Sequence, residues 1–206
     1  MKIKVCGMKD PDNIAQVAGN KPDYMGFIFY EESKRDVGNL SPDEVIIQQG
    51  TEKVGVFVNQ SLVFILKKAQ RFGFDYIQLH GDESPAFCRL VKNAGKKVIK
   101  AFSVDANFDF SVLEAYKPMC DYFLFDAKGQ GYGGNGVTFD WNVLQKYDNE
   151  KPIFLSGGIN SSHADDLMKL NWLNIHAIDI NSKFELTPGL KDVEKVRGFI
   201  QNIRDL

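Results

Sequence analysis

The sequence is short of the residues on which several common kinds of function are built. Of its 206 residues only three are cysteine and three histidine. Cys6, Cys88 and Cys120 are odd in number and far apart, which argues against a disulfide framework and fits a reducing cytoplasm. His80, His163 and His176 form no HExxH helix and no Cys/His cluster, so neither a structural nor a catalytic zinc is expected. No apolar run approaches the roughly 20 residues that cross a bilayer, and Met1 leads straight into a charged strand, so a cytosolic chain is expected. Charge of one sign is missing too: 25 basic against 27 acidic residues leave a formal net charge of -2. A general basic surface for nucleic acid and a polybasic membrane patch are thereby excluded, and a small anionic ligand would have to be met by a local site.

What is present is a composition, 44% hydrophobic and 25% charged, that can bury one substantial core, so a single domain over residues 1–206 is expected. Strand-like and helix-like segments alternate from end to end. Strands are predicted at Lys2 to Cys6, Tyr24 to Phe29, Val54 to Val58, Tyr76 to Leu79, Lys97 to Phe102, Tyr122 to Asp126, Pro152 to Leu155 and Ala177 to Ile180. Between them, helices are predicted from Pro11, from Pro42 to Gln49 behind the N-cap Ser41, over Leu62 to Phe72, from Pro85, over Phe110 to Tyr116, from Trp141, over Ser162 to Leu170 and over Val193 to Ile203. Eight βα units with no run of strands or helices between them predict a single-domain (β/α)8 TIM barrel, α/β in class, with eight parallel strands. A doubly wound open sheet would leave the last units without a place.

Barrel geometry turns spacing into a site, because residues at the carboxyl ends of different strands converge on one mouth. Cys6, Arg35, His80, Asp126, Gly157, Gly158, Asp179 and Ser182 become candidate neighbours on that rule. Cys6 ends the first strand just before Gly7; its thiol reads either as a reacting group or as the small buried hydrophobe that a free cysteine commonly is. Ser156-Gly157-Gly158 ends the seventh strand, where these barrels habitually cradle a phosphate on backbone amides. Gly129 to Gly134 satisfies GxGxxG, but the run opens no helix directly and lies in the sixth unit, so the dinucleotide reading is rejected in favour of a lid.

Motifs in seven of the eight units carry a resemblance over the whole chain. Val5-Cys6-Gly7, Gly26-Phe27-Ile28-Phe29 with Ser33-Lys34-Arg35, Val54-Gly55-Val56-Phe57, Gln78-Leu79-His80-Gly81, Asp126 with Gly133-Gly134-Asn135-Gly136, Gly157-Gly158 and Pro188-Gly189-Leu190-Lys191-Asp192 resemble phosphoribosylanthranilate isomerase. The resemblance implies an Amadori rearrangement in tryptophan biosynthesis, with Asp126 as general acid and Cys6 as general base and with no metal or coenzyme. It further implies Arg35 on the substrate carboxylate, His80 and Asp179 on the rest of the substrate, and a small phosphorylated molecule as the one partner. A monomer is expected, a homodimer being the alternative. An active base also requires the Cys6 thiol to be shifted down by local positive potential.

One departure stands out. Where the family carries glycine after the last strand, this chain has Lys183, in Asn181-Ser182-Lys183-Phe184-Glu185. The expectation is that Ser182 and the Lys183 ammonium hold the phosphate that a close-approaching glycine backbone would otherwise meet. Two rival functions are a lapsed barrel that only binds a sugar phosphate, and a lysine-dependent barrel enzyme, for which Lys100 is the candidate inside the barrel.

Overall fold

The computed structural model describes residues 1–127 and 140–205, so the glycine-rich run at 129–136 lies outside the described residues. Eight strands, β1 (Lys2–Cys6), β2 (Tyr24–Phe29), β3 (Glu52–Phe57), β4 (Tyr76–Leu79), β5 (Lys97–Val104), β6 (Tyr122–Ala127), β7 (Ile153–Leu155) and β8 (Ile175–Ile180), pair in parallel in chain order. The last returns to the first, Ile3 opposite Ile178 and Val5 opposite Ile180, and closes the barrel.

Strand alternation divides the interior in two. Ile3 and Val5 of β1, Met25 and Phe27 of β2, Ile77 and Leu79 of β4, Phe123 and Phe125 of β6, and Ile178 and Ile180 of β8 face outward and form the larger core under the helices. The intervening residues, among them Cys6, Tyr24, Val54, Tyr76, Ile99, Leu124, Phe154 and Ala177, fill the barrel itself. This parity corrects one expectation. Lys100 shares its face of β5 with Val98, on the helix side, whereas Ile99 and Ala101 point inward. Its ammonium is held by Glu83 at 3.2 Å and by the carbonyls of Gly81 and Ala101, at 2.7 and 3.0 Å, which makes it a structural tie rather than an interior nucleophile.

Helices form where start signal, amphipathic spacing and length agree. In α1 (Pro11–Ala18) Asp10 accepts from the Asn13 amide at 2.8 Å; α2 (Leu62–Phe72) and α3 (Pro85–Asn93) are capped in the same way by Ser61 and Ser84. The remaining α-helices are α4 (Ala164–Met168) and α5 (Val193–Asp205). The helix expected over Pro42 to Gln49 is a single 3-10 turn, Pro42–Glu44. Its start is intact, with the Ser41 amide donating to the Glu44 carboxylate at 2.6 Å, but Val45-Ile46-Ile47 is a β-branched run with Gly50 close behind, too little to propagate a helix. Phe110–Ala115 and Trp141–Lys146 are likewise 3-10 segments, and the expected helix at Ser162 is 3-10 as far as His163 before α4 begins. A short antiparallel hairpin, β9 (Glu185–Thr187) and β10 (Leu190–Lys191), follows β8 and was not foreseen.

The floor of the barrel is aromatic. Tyr24, Tyr76 and Tyr122, from three even-numbered strands, pack with Phe154 and His176, and the Tyr24 hydroxyl lies 2.8 Å from His176 Nε2. Burial, aided by Lys2 and Lys97, pushes the His176 imidazole down to about 4. As pH falls from about 6.5 towards 4 the unfolded chain takes up a proton that the folded chain refuses. Stability that is complete above that window is therefore lost within it. Urea unfolding should show the wild type losing more stability than His176→Gln between about pH 7 and pH 5; equal losses would contradict the assignment.

Candidate active site

At the carboxyl ends of the strands lies a cavity, open to solvent and lined by Cys6, Arg35, His80, Asp126, Gly157, Gly158, Asp179 and Ser182 among others. Eight of the nine expected site residues thus meet in one place. Lys183 does not: its side chain is exposed and outside the lining, and its carbonyl accepts from Lys195 Nζ at 2.6 Å. Its backbone has no positive φ, so the 3-10 turn Ser182–Phe184 accommodates a lysine there without strain.

Cys6 is set by β1 and by what lies beneath it. Lys4, two residues earlier and on the same face, is fully buried and bonds Asp179 of β8 at 2.8 Å. Gly26, the β2 neighbour of Cys6, leaves the space for both: a Cβ there would stand 2.7 Å from Cys6 Sγ and 3.2 Å from Lys4 Cε. Burial drives the thiol up, Lys4 pulls it down, Asp179 pushes it up and Lys191 pulls it down; the net direction is upward. The expected downward shift is therefore not the state of this site, because desolvation outweighs the two cations. Lys4 itself is opposed by burial, yet Asp179 and the Cys6 sulfur hold its ammonium above the ordinary lysine value. For Asp179 burial is the leading influence and raises the carboxyl, against Lys4.

Across the mouth, Asp126 ends β6, and its Oδ2 lies 3.7 Å from His80 Nε2. Gln78 Nε2 lies 2.7 Å from His80 Nδ1, a contact that orients the ring with Nε2 facing Asp126. Among the described residues, two buried acceptors at the cavity, Gln78 Oε1 and Asp179 Oδ1, have no partner. Buried oxygens left unpaired in a pocket are what a hydroxyl-bearing ligand would satisfy.

Arg35, from the loop after β2, lies against the hairpin. Its Nε is 2.9 and 3.0 Å from the two carboxylate oxygens of Glu185, and its Nη2 is 2.7 Å from Oε2. Glu185 also accepts from Lys191 at 2.6 Å, and Lys191 donates to Asn181 at 2.7 Å. Burial works against the Glu185 charge, but Arg35 and Lys191 hold its carboxyl below the usual range; burial brings the Lys191 ammonium down to about 8. Gly7 makes this packing possible. Its φ is +78°, and any Cβ would come within 2.8 Å of both Arg35 Cδ and Asn181 Oδ1.

Sequence reasoning missed Lys4, Gln78, Asn181, Glu185 and Lys191 as members of the site. Lys4 was within reach, since period-two alternation from Cys6 puts it on the same face. The others depend on a hairpin and on side-chain contacts that no local signal announces. Among the described residues no cluster of histidine, cysteine and carboxylate could hold a metal ion, and no helix is long and apolar enough to cross a membrane.

Comparison with known proteins agrees with this geometry. The family model described as N-(5'-phosphoribosyl)anthranilate (PRA) isomerase matches residues 3–202. A protein of that name from Parabacteroides distasonis is 44% identical over 206 residues, covering 98% of this chain and 93% of its own, and one from Phocaeicola vulgatus is 45% identical over 204 residues, covering 99% and 98%. The crystal structure of the phosphoribosyl anthranilate isomerase of Thermotoga maritima is similar at a TM-score of 0.84 and 31% identity, with both chains covered in full. Another structure, of such an isomerase in complex with reduced 1-(o-carboxyphenylamino)-1-deoxyribulose 5-phosphate, is similar at a TM-score of 0.82 and 28% identity, again over 100% of both chains.

The close fit of Gly26 against the thiol can be tested by filling it. Gly26→Ala should lower kcat by about a hundredfold, the effect of displacing a reacting group by about 1 Å, while the chain still folds. Retention of full kcat would show that the thiol position is not set by this contact.

Proposed function

Because the chain belongs to the N-(5'-phosphoribosyl)anthranilate isomerase family, we propose that Cys6 and Asp126 carry its reaction as general base and general acid. The reaction is the Amadori rearrangement of N-(5'-phosphoribosyl)anthranilate to 1-(2-carboxyphenylamino)-1-deoxyribulose 5-phosphate, a step of tryptophan biosynthesis. The observation that supports the assignment of roles is the meeting of the thiol and the carboxyl, from β1 and β6, at one cavity.

Asp126 protonates the ribose ring oxygen; the bond from that oxygen to carbon 1 breaks as the aniline nitrogen lends its lone pair, giving an iminium. Cys6 as thiolate then removes the proton on carbon 2; the electrons of that bond form the double bond between carbons 1 and 2 as the iminium π pair returns to nitrogen, and the resulting enolamine tautomerises to the ketone. The substrate nitrogen is the electron sink, so the residues need only move protons. A thiol raised by burial is a scarce thiolate near neutral pH but a correspondingly strong base, and Lys4 lies where its charge compensates the anion. His80, whose Nε2 faces Asp126, binds the substrate on the acid's side in this reading.

The substrate's remaining groups are assigned by charge. Arg35 takes the anthranilate carboxylate. The unpaired Asp179 Oδ1 takes a ribose hydroxyl. The phosphate lies over Gly157, Gly158 and Ser182, where both glycines have positive φ and line the cavity. Every one of these groups comes from one chain, which we take as a single-domain, monomeric working unit, and the three unpaired cysteines suit a cytoplasmic setting.

Cys6→Ser and Asp126→Asn should each lower kcat by at least about a hundredfold, followed by the fluorescence change of phosphoribosylanthranilate made in situ. A variant with near-full kcat would remove its residue from the mechanism. Since the Lys183 ammonium is exposed and off the cavity, Lys183→Ala should leave KM within about twofold. A rise of tenfold or more in KM would restore the direct phosphate contact expected from the sequence.

A further inference from the structure

Arg35 is the one charged group of the proposed substrate site that sits on a loop, and an unrestrained arginine would surrender considerable rotamer freedom on closing around a ligand. The structure removes that freedom beforehand. Glu185 takes the Nε–Nη2 edge of the guanidinium at 2.7 to 3.0 Å, with the two side chains only 13% and 4% exposed. Among the described residues no hydrogen bond engages Nη1. Arg35 lines the cavity and Glu185 does not, so the edge left over, Nη1 with the second proton of Nη2, is the one available to a ligand.

Glu185 is in turn fixed by a device of its own. It stands opposite Lys191 in the β9–β10 hairpin, and the fully buried Lys191 ammonium bonds both Glu185 Oε1 and Asn181 Oδ1. The Gly189 amide adds a further bond to Oε1 at 3.1 Å. The hairpin is pinned to α1 through Asn13, which donates to the Lys191 carbonyl at 2.9 Å and accepts from its amide at 2.8 Å. A charged group buried this fully and held by two acceptors favours one geometry.

We propose that Glu185 and Lys191 are positioning residues for substrate recognition: the hairpin after β8 turns a loop arginine into a rigid, one-edged receptor for the anthranilate carboxylate. The inference rests on the assignment of Arg35 to that carboxylate. It makes specificity for the carboxylated aniline depend on residues that do not touch the substrate, and Gly7 adds to the restraint by leaving just the room the Arg35 side chain takes, a Cβ there standing 2.8 Å from Arg35 Cδ.

The test compares phosphoribosylanthranilate with N-(5'-phosphoribosyl)aniline, which lacks the carboxylate, on the wild type, Arg35→Ala, Glu185→Gln, Lys191→Met and the double variant Arg35→Ala/Glu185→Gln. Glu185→Gln should raise KM for the carboxylated substrate by about tenfold while kcat/KM for the aniline substrate changes by less than about twofold; Lys191→Met should raise the same KM by about tenfold, with any change in kcat that it makes through the Cys6 thiol equal on the two substrates. The double variant should be no worse than Arg35→Ala alone. Equal losses on both substrates in the Glu185 and Lys191 variants, with Arg35→Ala selective for the carboxylated one, would overturn the inference and leave the Arg35 reading standing. Equal losses on both substrates in Arg35→Ala would overturn that reading itself. Circular dichroism and urea midpoints identify a variant lost to misfolding; Glu185→Gln, isosteric and still able to accept a bond, then decides the outcome.

Discussion

A lysine and an aspartate buried together inside the barrel are the constraint around which the active end of this protein is arranged. Lys4 and Asp179 are 0% and 5% exposed and 2.8 Å apart. Taking two such ions from water costs several kcal/mol each after relaxation, and their attraction offsets this only if both stay in place. β1 and β8 must therefore close the barrel in one register, and closure is what carries Cys6, two residues above Lys4, to the mouth. The same pair sets the electrostatics of the thiol, with the cation lowering its pKa and the carboxylate raising it. A second buried pair, Lys191 with Glu185, repeats the pattern in the hairpin after β8 and extends it to Arg35.

Stability and chemistry occupy different parts of the fold. The large apolar core lies between strands and helices and contains none of the groups assigned to the reaction; the barrel interior grades from an aromatic floor, through the buried ion pair, to the polar mouth. Such a division allows several outer segments to be single 3-10 turns without disturbing the site, because the strands alone fix where their carboxyl ends converge.

Much of this was legible in the sequence for a physical reason. Parallel strands covered on both sides are continuous apolar runs bounded by turn residues, so all eight were found, and a strand-end rule then gathers Cys6, His80, Asp126 and Asp179 without any tertiary information. Helices were harder. Ser41-Pro42 is a sound start signal attached to a segment that cannot propagate, and a start signal carries no measure of how well the residues downstream extend a helix. Lys100 was misplaced by counting it as interior when its parity with Val98 sets it outside the barrel. The hairpin was invisible because Pro188-Gly189 read only as a family motif, and with it were lost Glu185 and Lys191, whose partners Arg35 and Asn13 are 150 and 178 residues distant. For Lys183 the expectation assumed a backbone that needs glycine, whereas the chain there turns with ordinary φ.

The most direct test is the ionisation of Cys6 itself, followed by thiolate absorbance as the difference between wild type and Cys6→Ser, and between Lys4→Met with and without Cys6→Ser. In the ligand-free protein the thiol should titrate above the ordinary cysteine value, since burial is the leading influence, and in Lys4→Met it should move higher still, since the lysine's effect on the thiol exceeds that of Asp179. A thiol that titrates below the ordinary value, or one indifferent to the loss of Lys4, would contradict the claim that burial and the Lys4–Asp179 pair together set the ionisation of Cys6.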